Sequence, residues 1–527
     1  MRRRDLFKLA VSAALPAMPH VARAQRDSTL RFVPFLELAL LDPIWTTARA
    51  THLHAYLVFD TLYGIDDNGA IQPQMLEGHV VEANGKQWTL RLREGLRFQD
   101  GTPVLGRDAV ASLRRWGVRD GYGQALLAAT AELSAPDDRT IRFRLIRPFP
   151  HLPEALAGAS AIPPCIMPER LANTDPYRQI SEMVGSGPYK FVAGEYSPGA
   201  RAVYERFAGY VPRPDGRLSY CAGPKVAHFG RVEWISMGDT ATAVSALQTG
   251  EVDWLENVYP DQLPPLARNE KVKIDVLERP GSIGIMRFNH LHPPFDNAAI
   301  RRALLGAISQ SDAMQAVAGA APTYWRDRIG LFTPDSRCAT LAGIEVMSGP
   351  RDYNRVKQEL DAAGYRGERV VVLATAGSGF ITPLAQVGAD ALRKAGMNVD
   401  VQVMDNATLI RRRASKAPVA EGGWNVFFAL PDGLFNANPA SSYPIRGNGA
   451  AAWEGWPTSP ELERLRAAWL DAETPHEEAR LCEQLQRQLW HDVPYIPMGQ
   501  VIKPTAYRRD LVDLPSGFPA FYGVRRA

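Results

Sequence analysis

Hydrophobic and polar positions alternate in short runs through the first third of the chain. Residues 87–93 and 140–145 carry an apolar side chain at every second position, the pattern of a half-buried strand. Between them, residues 107–116 show the wider apolar spacing of a helix. Turn sequences such as Asp100-Gly101-Thr102-Pro103 separate these runs. The pattern predicts an α+β unit with antiparallel strands over roughly residues 50–180.

A different rhythm follows, in which strands and helices take turns. Strands are predicted at residues 232–235 and 252–255, joined by a helix that Asp239 caps and Gly250 ends. Farther on, helices at 353–363 and 383–395 alternate with strands at 369–374 and 398–404, and this order is typical of a layered α/β lobe.

One stretch past the middle of the chain joins the two patterns. An apolar strand at 283–288 leads into Pro293-Pro294, where the rings fix the backbone. A helix leaves the turn, with Asp296 or Asn297 as its N-cap. Strand, turn and helix together indicate the entrance to a second lobe.

The N-terminus has the features of an export signal. Arg3-Arg4 and Lys8 form a basic start, a short apolar run follows, and Ala22-Arg23-Ala24 fits a cleavage site before Gln25. The basic start also resembles a twin-arginine signal, with an ordinary Sec signal as the alternative. The signal carries five basic residues and one acidic residue, so its removal takes the formal net charge from +3 to −1. The charge of the mature chain therefore gives no indication of nucleic-acid binding.

The four cysteines, Cys165, Cys221, Cys338 and Cys482, show no CxxC or Cys–His metal spacing. An oxidising compartment permits a disulfide, and isolated buried thiols are the alternative. Sequence alone does not give the pairing.

A set of short motifs, in order along nearly the whole mature chain, resembles the extracytoplasmic solute-binding proteins of ABC importers for dipeptides, oligopeptides and nickel (family 5). The main pieces are Leu41-Asp42-Pro43, Phe59-Asp60-Thr61-Leu62-Tyr63, Trp88-Thr89-Leu90-Arg91, Gly185-Ser186-Gly187-Pro188-Tyr189, Gly250-Glu251-Val252-Asp253, Pro293-Pro294-Phe295-Asp296 and Val493-Pro494-Tyr495-Ile496-Pro497.

The resemblance implies an α/β (mixed α+β) fold: a two-lobe periplasmic-binding-protein clamshell with an extra inserted α+β domain. It divides the chain into an export signal (1–24), a first lobe (25–49, 181–270 and 494–527), the inserted domain (50–180) and a second lobe (271–493).

The resemblance also places ligand contacts in the loop after the first strand and in loops of the second lobe. In the peptide binders of the family, an Asp near the position of Asp432 takes the peptide amine, although the spacing here slips and no Trp precedes it. Asp432 is otherwise an ordinary Pro-Asp-Gly turn residue, Trp45 a packing residue and Arg49 a solvated charge. The candidate ligand-binding residues are Trp45, Thr46, Thr47, Arg49, Arg287, Asn289, Asp432 and Arg446, with weaker candidates in the basic run Arg411-Arg412-Arg413.

Two His-x-His pairs, His52/His54 and His290/His292, leave a metal or metal-chelate receptor of the same fold as an alternative. The chain has neither a nucleophile elbow nor a phosphate loop, so a secreted hydrolase is a remote alternative. We therefore expect a periplasmic receptor without catalytic activity, cofactor or bound metal. Its expected partners are a small-molecule or short-peptide solute and a transmembrane permease, with the receptor itself a monomer that binds no nucleic acid.

Overall fold

The structure is a computed structural model, and it describes residues 28–158 and 160–527. The predicted export signal, 1–24, lies outside the described residues. Within the described ranges, no helix combines the length and the apolar character needed to cross a bilayer.

The strands are β1 (Thr29–Val33), β2 (Tyr63–Ile65), β3 (Ile71–Pro73), β4 (Leu76–Glu82), β5 (Gln87–Leu92), β6 (Thr130–Ser134), β7 (Thr140–Leu145), β8 (Tyr189–Phe191), β9 (Arg201–Arg206), β10 (Arg231–Ile235), β11 (Trp254–Leu255), β12 (Val272–Asp275), β13 (Ser282–Phe288), β14 (Trp325–Arg326), β15 (Arg369–Thr375), β16 (Asn398–Met404), β17 (Val426–Ala429), β18 (Tyr495–Val501), β19 (Thr505–Arg508), β20 (Leu511–Val512) and β21 (Arg525–Arg526).

The α-helices are α1 (Arg49–Val58), α2 (Gly106–Arg119), α3 (Gly121–Ala128), α4 (Leu152–Ala155), α5 (Glu169–Ala172), α6 (Thr240–Thr249), α7 (Leu263–Ala267), α8 (Ala298–Ala303), α9 (Gln310–Ala318), α10 (Glu345–Ser348), α11 (Tyr353–Ala362), α12 (Ile381–Lys394), α13 (Asn406–Arg413), α14 (Pro460–Leu470) and α15 (Pro475–Asp492).

The first lobe is built on a sheet in the order β12-β19-β11-β1-β10-β9-β8. Strand β1 lies parallel to both β10 and β11, and α6 makes the crossover between those two neighbours. Asp239 caps α6 by accepting from Thr242 N, and Gly250 ends it at φ +82°, which a glycine adopts without strain. Phe32 packs against Trp234 and Trp254 with ring centroids 5.7 and 5.4 Å away, and this aromatic cluster forms the core.

The second lobe is built on a sheet in the order β14-β18-β13-β17-β15-β16. Its central strand β13 is buried along its whole length, which explains why its sequence is apolar without alternation. At the exit from β13, Pro293-Pro294 is a cis peptide, and the Asn297 side chain caps α8 by accepting from Ala299 N.

The inserted unit carries an antiparallel sheet in the order β4-β5-β7-β6. Trp88, Leu90 and Leu92 of β5 face a core that includes Trp116 of α2, as the alternating pattern predicts. Val80 on β4 is 58% exposed, because that part of the edge strand faces solvent.

The chain crosses between the two main sheets twice, at 276–281 and at 502–504. These crossings move two predicted boundaries. Strand β12 lies beyond 271 but pairs with β19 in the first sheet. Strand β18 lies beyond 494 but pairs with β13 in the second sheet. Helix α1, predicted in the inserted unit 50–180, packs instead in the first lobe's core. Each shift has the same cause: long-range strand pairing and packing, rather than local pattern, decide where a lobe ends.

Candidate functional site

A cavity of about 160 Å³ lies between the two lobes. The first lobe contributes the loop after β1 and the start of α1. The second lobe contributes α13, the end of β17 with its following turn, and two aromatic side chains. The cavity lining includes Thr46, Thr47, Arg49, Arg413, Asp432, Tyr443, Trp453 and Lys503.

Arg49, the first residue of α1, forms a buried ion cluster at the hinge. It donates to Glu256 of the first lobe at 2.5 Å, to Glu278 on the first crossing at 2.8 Å and to Asp432 of the second lobe at 2.9 Å. Lys503 on the second crossing lies 3.7 Å from Asp432. The cluster therefore joins both lobes and both crossings, and its three carboxylates outnumber its two cations.

The cluster shifts the pKa values of its own carboxyl groups. Burial raises the pKa of Asp432, but the positive charges of Arg49 and Lys503 outweigh burial and hold that pKa below its ordinary value. For Glu278, burial is the larger influence and raises the pKa. The raised pKa of Glu278 weakens its negative charge, so Asp432, whose pKa is held low, is the carboxylate that best attracts an additional cation.

The turn that carries Asp432 is fixed against the first crossing. Gly433 N donates to Gly281 O at 2.7 Å, and Ser282 Oγ donates to Asp432 Oδ1 at 3.1 Å. A Cβ at Gly433 would lie 2.0 Å from Pro280 O, so only glycine permits this approach. The Pro-Asp-Gly sequence thus holds the Asp432 carboxylate at the hinge.

The opposite side of the cavity is positive and aromatic. The Arg413 guanidinium lies 5.5 Å from the ring centroids of both Phe427 and Trp453. Arg413 Nε and Trp453 Nε1 are buried without a hydrogen-bond partner among the described residues, and Glu454 Oε1 lies 3.7 Å from Arg413 Nε. Buried donors of this kind are normally paired, so they indicate a place for an acceptor.

Tyr443 lies between the two charged regions. Its pKa is raised by burial and by Asp432, whereas Arg413 acts to lower it. Its ring meets that of Trp453 at a centroid distance of 5.0 Å. The cavity therefore presents a negative region and a positive region around one tyrosine.

The predicted residues of the first-lobe loop separate into two groups. Thr46 and Thr47 line the cavity together with Arg49. Trp45 is outside the lining, with the Arg119 guanidinium 5.4 Å from its ring, and so fits the packing alternative. Arg49 is not a solvated charge, because its side chain is only 9% exposed.

Arg287 and Asn289 are buried in the second lobe and do not line the cavity. Arg287 donates to backbone carbonyls, including Pro444 O at 2.7 Å and Glu454 O at 2.8 Å, and burial lowers its pKa to about 10. Asn289 donates to Trp424 O at 2.9 Å. Arg287 supports the loops that carry Tyr443 and Trp453 instead of offering a free guanidinium.

Arg446 lies in a neighbouring cavity of about 160 Å³, where Thr47 also contributes. Arg446 Nε lies 3.3 Å from Glu463 Oε1, so its charge is already paired. Burial raises the pKa of Asp120, in the same cavity, to about 6, although backbone donors and Arg446 oppose the shift.

His54, His290 and His292 each have one ring nitrogen near a protein oxygen, whereas neither ring nitrogen of His52 has a hydrogen-bond partner among the described residues and its ring packs against aromatic side chains. Burial lowers the pKa of His52 to about 4 and that of His54 to about 3, and His54 Nδ1 lies 2.9 Å from Tyr204 Oη. His290 and His292 face the carbonyls of Pro494 and Lys416 at 3.3 and 2.8 Å. Over the described part of the chain, no group of three or more His, Cys, Asp or Glu side chains is placed to hold a metal ion.

Sequence reasoning missed several side chains that form the hinge cluster or line the cavity. Glu256, Glu278 and Lys503 were not singled out, and neither were Tyr443 and Trp453. Glu278 and Lys503 lie away from the predicted lobe boundaries, 270/271 and 493/494, so the predicted division of the chain carried no signal for them.

Two sheets joined by two crossings, with a cavity between them and an inserted unit, define a two-lobe periplasmic binding protein. Solved structures share this fold over almost their whole length. AgaA of A. tumefaciens R10, in complex with agropinic acid, has a TM-score of 0.78 at 18% identity and covers 95% of this chain and 99% of its own. A dipeptide-binding protein of Pseudoalteromonas sp. SM9913, in complex with Met-Leu, has a TM-score of 0.77 at 19% identity and covers 95% and 100%.

Sequence comparison identifies the family. Residues 70–443 match the family described as "Bacterial extracellular solute-binding proteins, family 5 Middle". The "Probable peptide ABC transporter periplasmic-binding protein y4tO" of Sinorhizobium fredii is 36% identical over 100% of this chain and 99% of its own. The "Probable D,D-dipeptide-binding periplasmic protein DdpA" of Escherichia coli K12 is 27% identical over 74% and 73%. The chain belongs to family 5, the periplasmic substrate receptors of ABC importers, and the resemblance drawn from its motifs is confirmed.

Proposed function

We propose that this receptor binds a small zwitterionic solute, peptide-like or carboxylate-bearing, in the interlobe cavity and delivers it to a transmembrane permease. The observation that carries the proposal is the pair of opposite charges, Asp432 and Arg413, on either side of Tyr443. A solute with an amine and a carboxylate matches that arrangement at both ends.

The positive region suits a carboxylate. Arg413 Nε and Trp453 Nε1 are donors without a partner among the described residues, and burial strengthens a charge-assisted bond to an anion. The negative region suits an amine, because the hinge cluster holds three carboxylates against two cations. An amine approaching Asp432 would compete chiefly with Lys503, whose contact at 3.7 Å is the longest of the cluster.

Closure follows from the position of the site. A solute that touches Thr46 or Thr47 of the first lobe and Arg413 of the second gains both contacts only when the lobes meet. It therefore shifts the open–closed equilibrium by its differential affinity for the two states. The permease then recognises the closed form, and no bond in the solute is made or broken.

The named relatives support the same solute class. One relative is named for peptides and another for D,D-dipeptides, and structural neighbours hold agropinic acid and Met-Leu. The metal-chelate alternative has less support, since His54, His290 and His292 each contact a protein oxygen through a ring nitrogen. Export by the twin-arginine route, a monomeric state, and the absence of nucleic-acid binding and of catalysis belong to this proposal.

Thermal-shift screening against dipeptides, opines and metal chelates tests the solute class. We expect free dipeptides or opines to raise the melting temperature, and versions with a blocked carboxylate to do so less. Arg413→Gln should weaken binding by about 10- to 100-fold, because it removes a charge-assisted hydrogen bond. Arg411→Gln is the matched control, since Arg411 is exposed on the same helix and donates to Thr408 Oγ1, one turn away, at 2.9 Å.

Small-angle scattering with the best ligand should show compaction. Equal losses of affinity in the Arg413 and Arg411 variants would contradict the assignment of Arg413. Binding of a metal chelate alone would favour the alternative receptor.

A further inference from the structure

Helix α15 and the segment 337–342 lie side by side in the second lobe, in matching register. Arg337 Nε lies 3.4 Å from Glu478 Oε2 at one end of the contact. Toward the other end, Gln486 Nε2 donates to Thr340 O at 2.7 Å, and Trp490 Nε1 donates to Ala342 O at 2.9 Å. Positions along the segment thus advance together with turns of the helix.

This register brings two cysteines together. Residues four apart in a helix share one face, so Cys482 lies on the same face as Glu478 and Gln486, and between them. Cys338 likewise falls between Arg337 and Thr340 on the facing segment. Each cysteine is 1% exposed, and the Cys338 thiol lies near enough to Cys482 to raise the pKa of that thiol.

The other two cysteines have different surroundings. Cys165 and Cys221 lie in the first lobe's core, whereas Cys338 and Cys482 share the core of the second lobe. Cys221 Sγ accepts from Ile65 N at 3.3 Å and lies 3.6 Å from Ala157 O, so its contacts are with the backbone. Pairing across the two cores would require the lobes to rearrange.

We propose that Cys338 and Cys482 form a disulfide bond in the exported protein. The reaction is a thiol–disulfide exchange in which the two thiols are oxidised and an external disulfide, R–S–S–R, is reduced to two R–SH. One cysteine thiolate attacks the external disulfide and releases the first R–SH. The second cysteine then attacks the mixed disulfide and releases the other. The oxidant belongs to the class of disulfides that an oxidising compartment such as the periplasm supplies.

The timing follows from burial. The pKa of the Cys482 thiol is raised by its contact with Cys338 and by burial, which lowers its thiolate fraction in the folded protein. We therefore expect the bond to form when the segment 337–342 is open to solvent, and to resist reduction once α15 covers it.

The bond would hold a contact between the second lobe and the inserted unit. Arg337, next to Cys338, donates to Glu154 of that unit at 2.7 Å and stacks 5.1 Å from the ring of Trp469. His151 of the inserted unit stacks on the same ring at 4.5 Å. Anchoring the segment thus fixes the residue that joins the two units.

Thiol counting on the exported full-length protein tests the proposal. The protein is denatured in excess N-ethylmaleimide without reductant and its intact mass is measured. We expect two labelled cysteines before reduction and four after it, with one cross-linked peptide pair containing Cys338 and Cys482. Four labelled cysteines without reductant, or a cross-link involving Cys165 or Cys221, would overturn the proposal.

Melting of variants gives a second readout. The wild type is reduced while unfolded and then refolded. This treatment should lower its melting temperature by about 3–8 °C, because the unfolded chain without the cross-link gains conformational freedom. The Cys338→Ala/Cys482→Ala variant should not respond to reductant, whereas the Cys165→Ala control should respond as the wild type does. An equal response in the double variant, or none in the wild type, would contradict the bond.

Discussion

Arg49 of the first lobe and Asp432 of the second are joined at the hinge by an ion pair of 2.9 Å. The same guanidinium also pairs with Glu256 and Glu278, so one side chain contacts carboxylates from both lobes and from a crossing segment. Because charges at this depth are poorly solvated, removing one partner leaves the others without compensation. The hinge is consequently a part of the molecule where single charge changes should have large effects.

Arg49→Met should destabilise the protein by about 3–5 kcal/mol, because three buried carboxylates lose their principal cation. The measurement is the midpoint of urea-induced unfolding. Arg411→Met is the matched control, since that side chain is exposed and its loss should change the free energy of unfolding by less than about 0.5 kcal/mol. Similar midpoints for both variants would mean that the cluster contributes little to stability.

Asp432→Asn should have a smaller effect on stability than Arg49→Met, because it leaves two carboxylates facing two cations. If Asp432 attracts the solute amine, the variant should bind a free dipeptide about tenfold more weakly yet bind its N-acetyl form as the wild type does. Calorimetric titration with both ligands checks this. A parallel loss for both forms would place the amine elsewhere.

How far the sequence predicts this molecule depends on whether the determinant is local. Helix α6 has its cap at Asp239 and its end at Gly250 as predicted, because capping chemistry is decided within a few residues. The side chains of the site are decided by partners far away in the chain. Arg287 lies in the expected strand, but it is held by carbonyls more than 150 residues away, and so it cannot offer a free guanidinium to the cavity.

The motifs that revealed the family also have structural explanations that sequence reasoning did not reach. Asp60, in Phe-Asp-Thr-Leu-Tyr, pairs with the fully buried Lys225 at 2.7 Å and accepts from Tyr210 Oη at 2.7 Å. Gly185 and Gly187, in the Gly-Ser-Gly-Pro-Tyr motif, approach the Val58 carbonyl group so closely that a Cβ at either position would clash. Asp60 joins the inserted unit to the first lobe, and the two glycines pack against the end of α1 within that lobe, so these residues identify the fold and say little about the solute.

Asp120→Asn should stabilise the protein at neutral pH. The folded pKa of Asp120, about 6, exceeds the ordinary value of 3.8, so between these values the folded state binds more protons than the unfolded state. Stability therefore falls as pH rises through this window, by up to about 3 kcal/mol at the upper end. Asparagine keeps the cap of α3, where the side chain accepts from Tyr122 N and Gly123 N, and removes this loss.

The check is the difference in unfolding midpoint between variant and wild type at pH 4.5 and pH 7.5. We expect a small difference at the lower pH and a clear gain at the higher one. Asp138→Asn, at an exposed carboxyl group, serves as the control and should show little change at either pH. A gain of the same size at both values would rule out the proton linkage.

Arg115→Met should be strongly destabilising, because it removes the partner of a fully buried carboxylate. Arg115 of α2 forms two hydrogen bonds with Asp42, at 3.1 and 2.7 Å, and the side chains are only 2% and 0% exposed. The pair ties the inserted unit to the loop after β1, so we expect a loss of about 3–5 kcal/mol and a lower melting temperature. Arg114→Met is the neighbouring control: its exposed side chain donates only to Leu133 O, at 2.8 Å, and its loss should cost less than about 1 kcal/mol.

The double variant Arg115→Met/Asp42→Leu separates two explanations of that loss. If the cost of Arg115→Met comes from leaving the Asp42 carboxylate buried and unpaired, removing the carboxylate as well should restore part of the stability. Asp42 also accepts from Ile44 N at 3.2 Å and from Ile180 N at 2.9 Å, so recovery should be incomplete, since those donors then lose their acceptor. Losses that simply add in the double variant would show instead that the two side chains act independently. Asp42 of the Leu-Asp-Pro motif would then hold the loop through the bonds it accepts from Ile44 N and Ile180 N, without a contribution from Arg115.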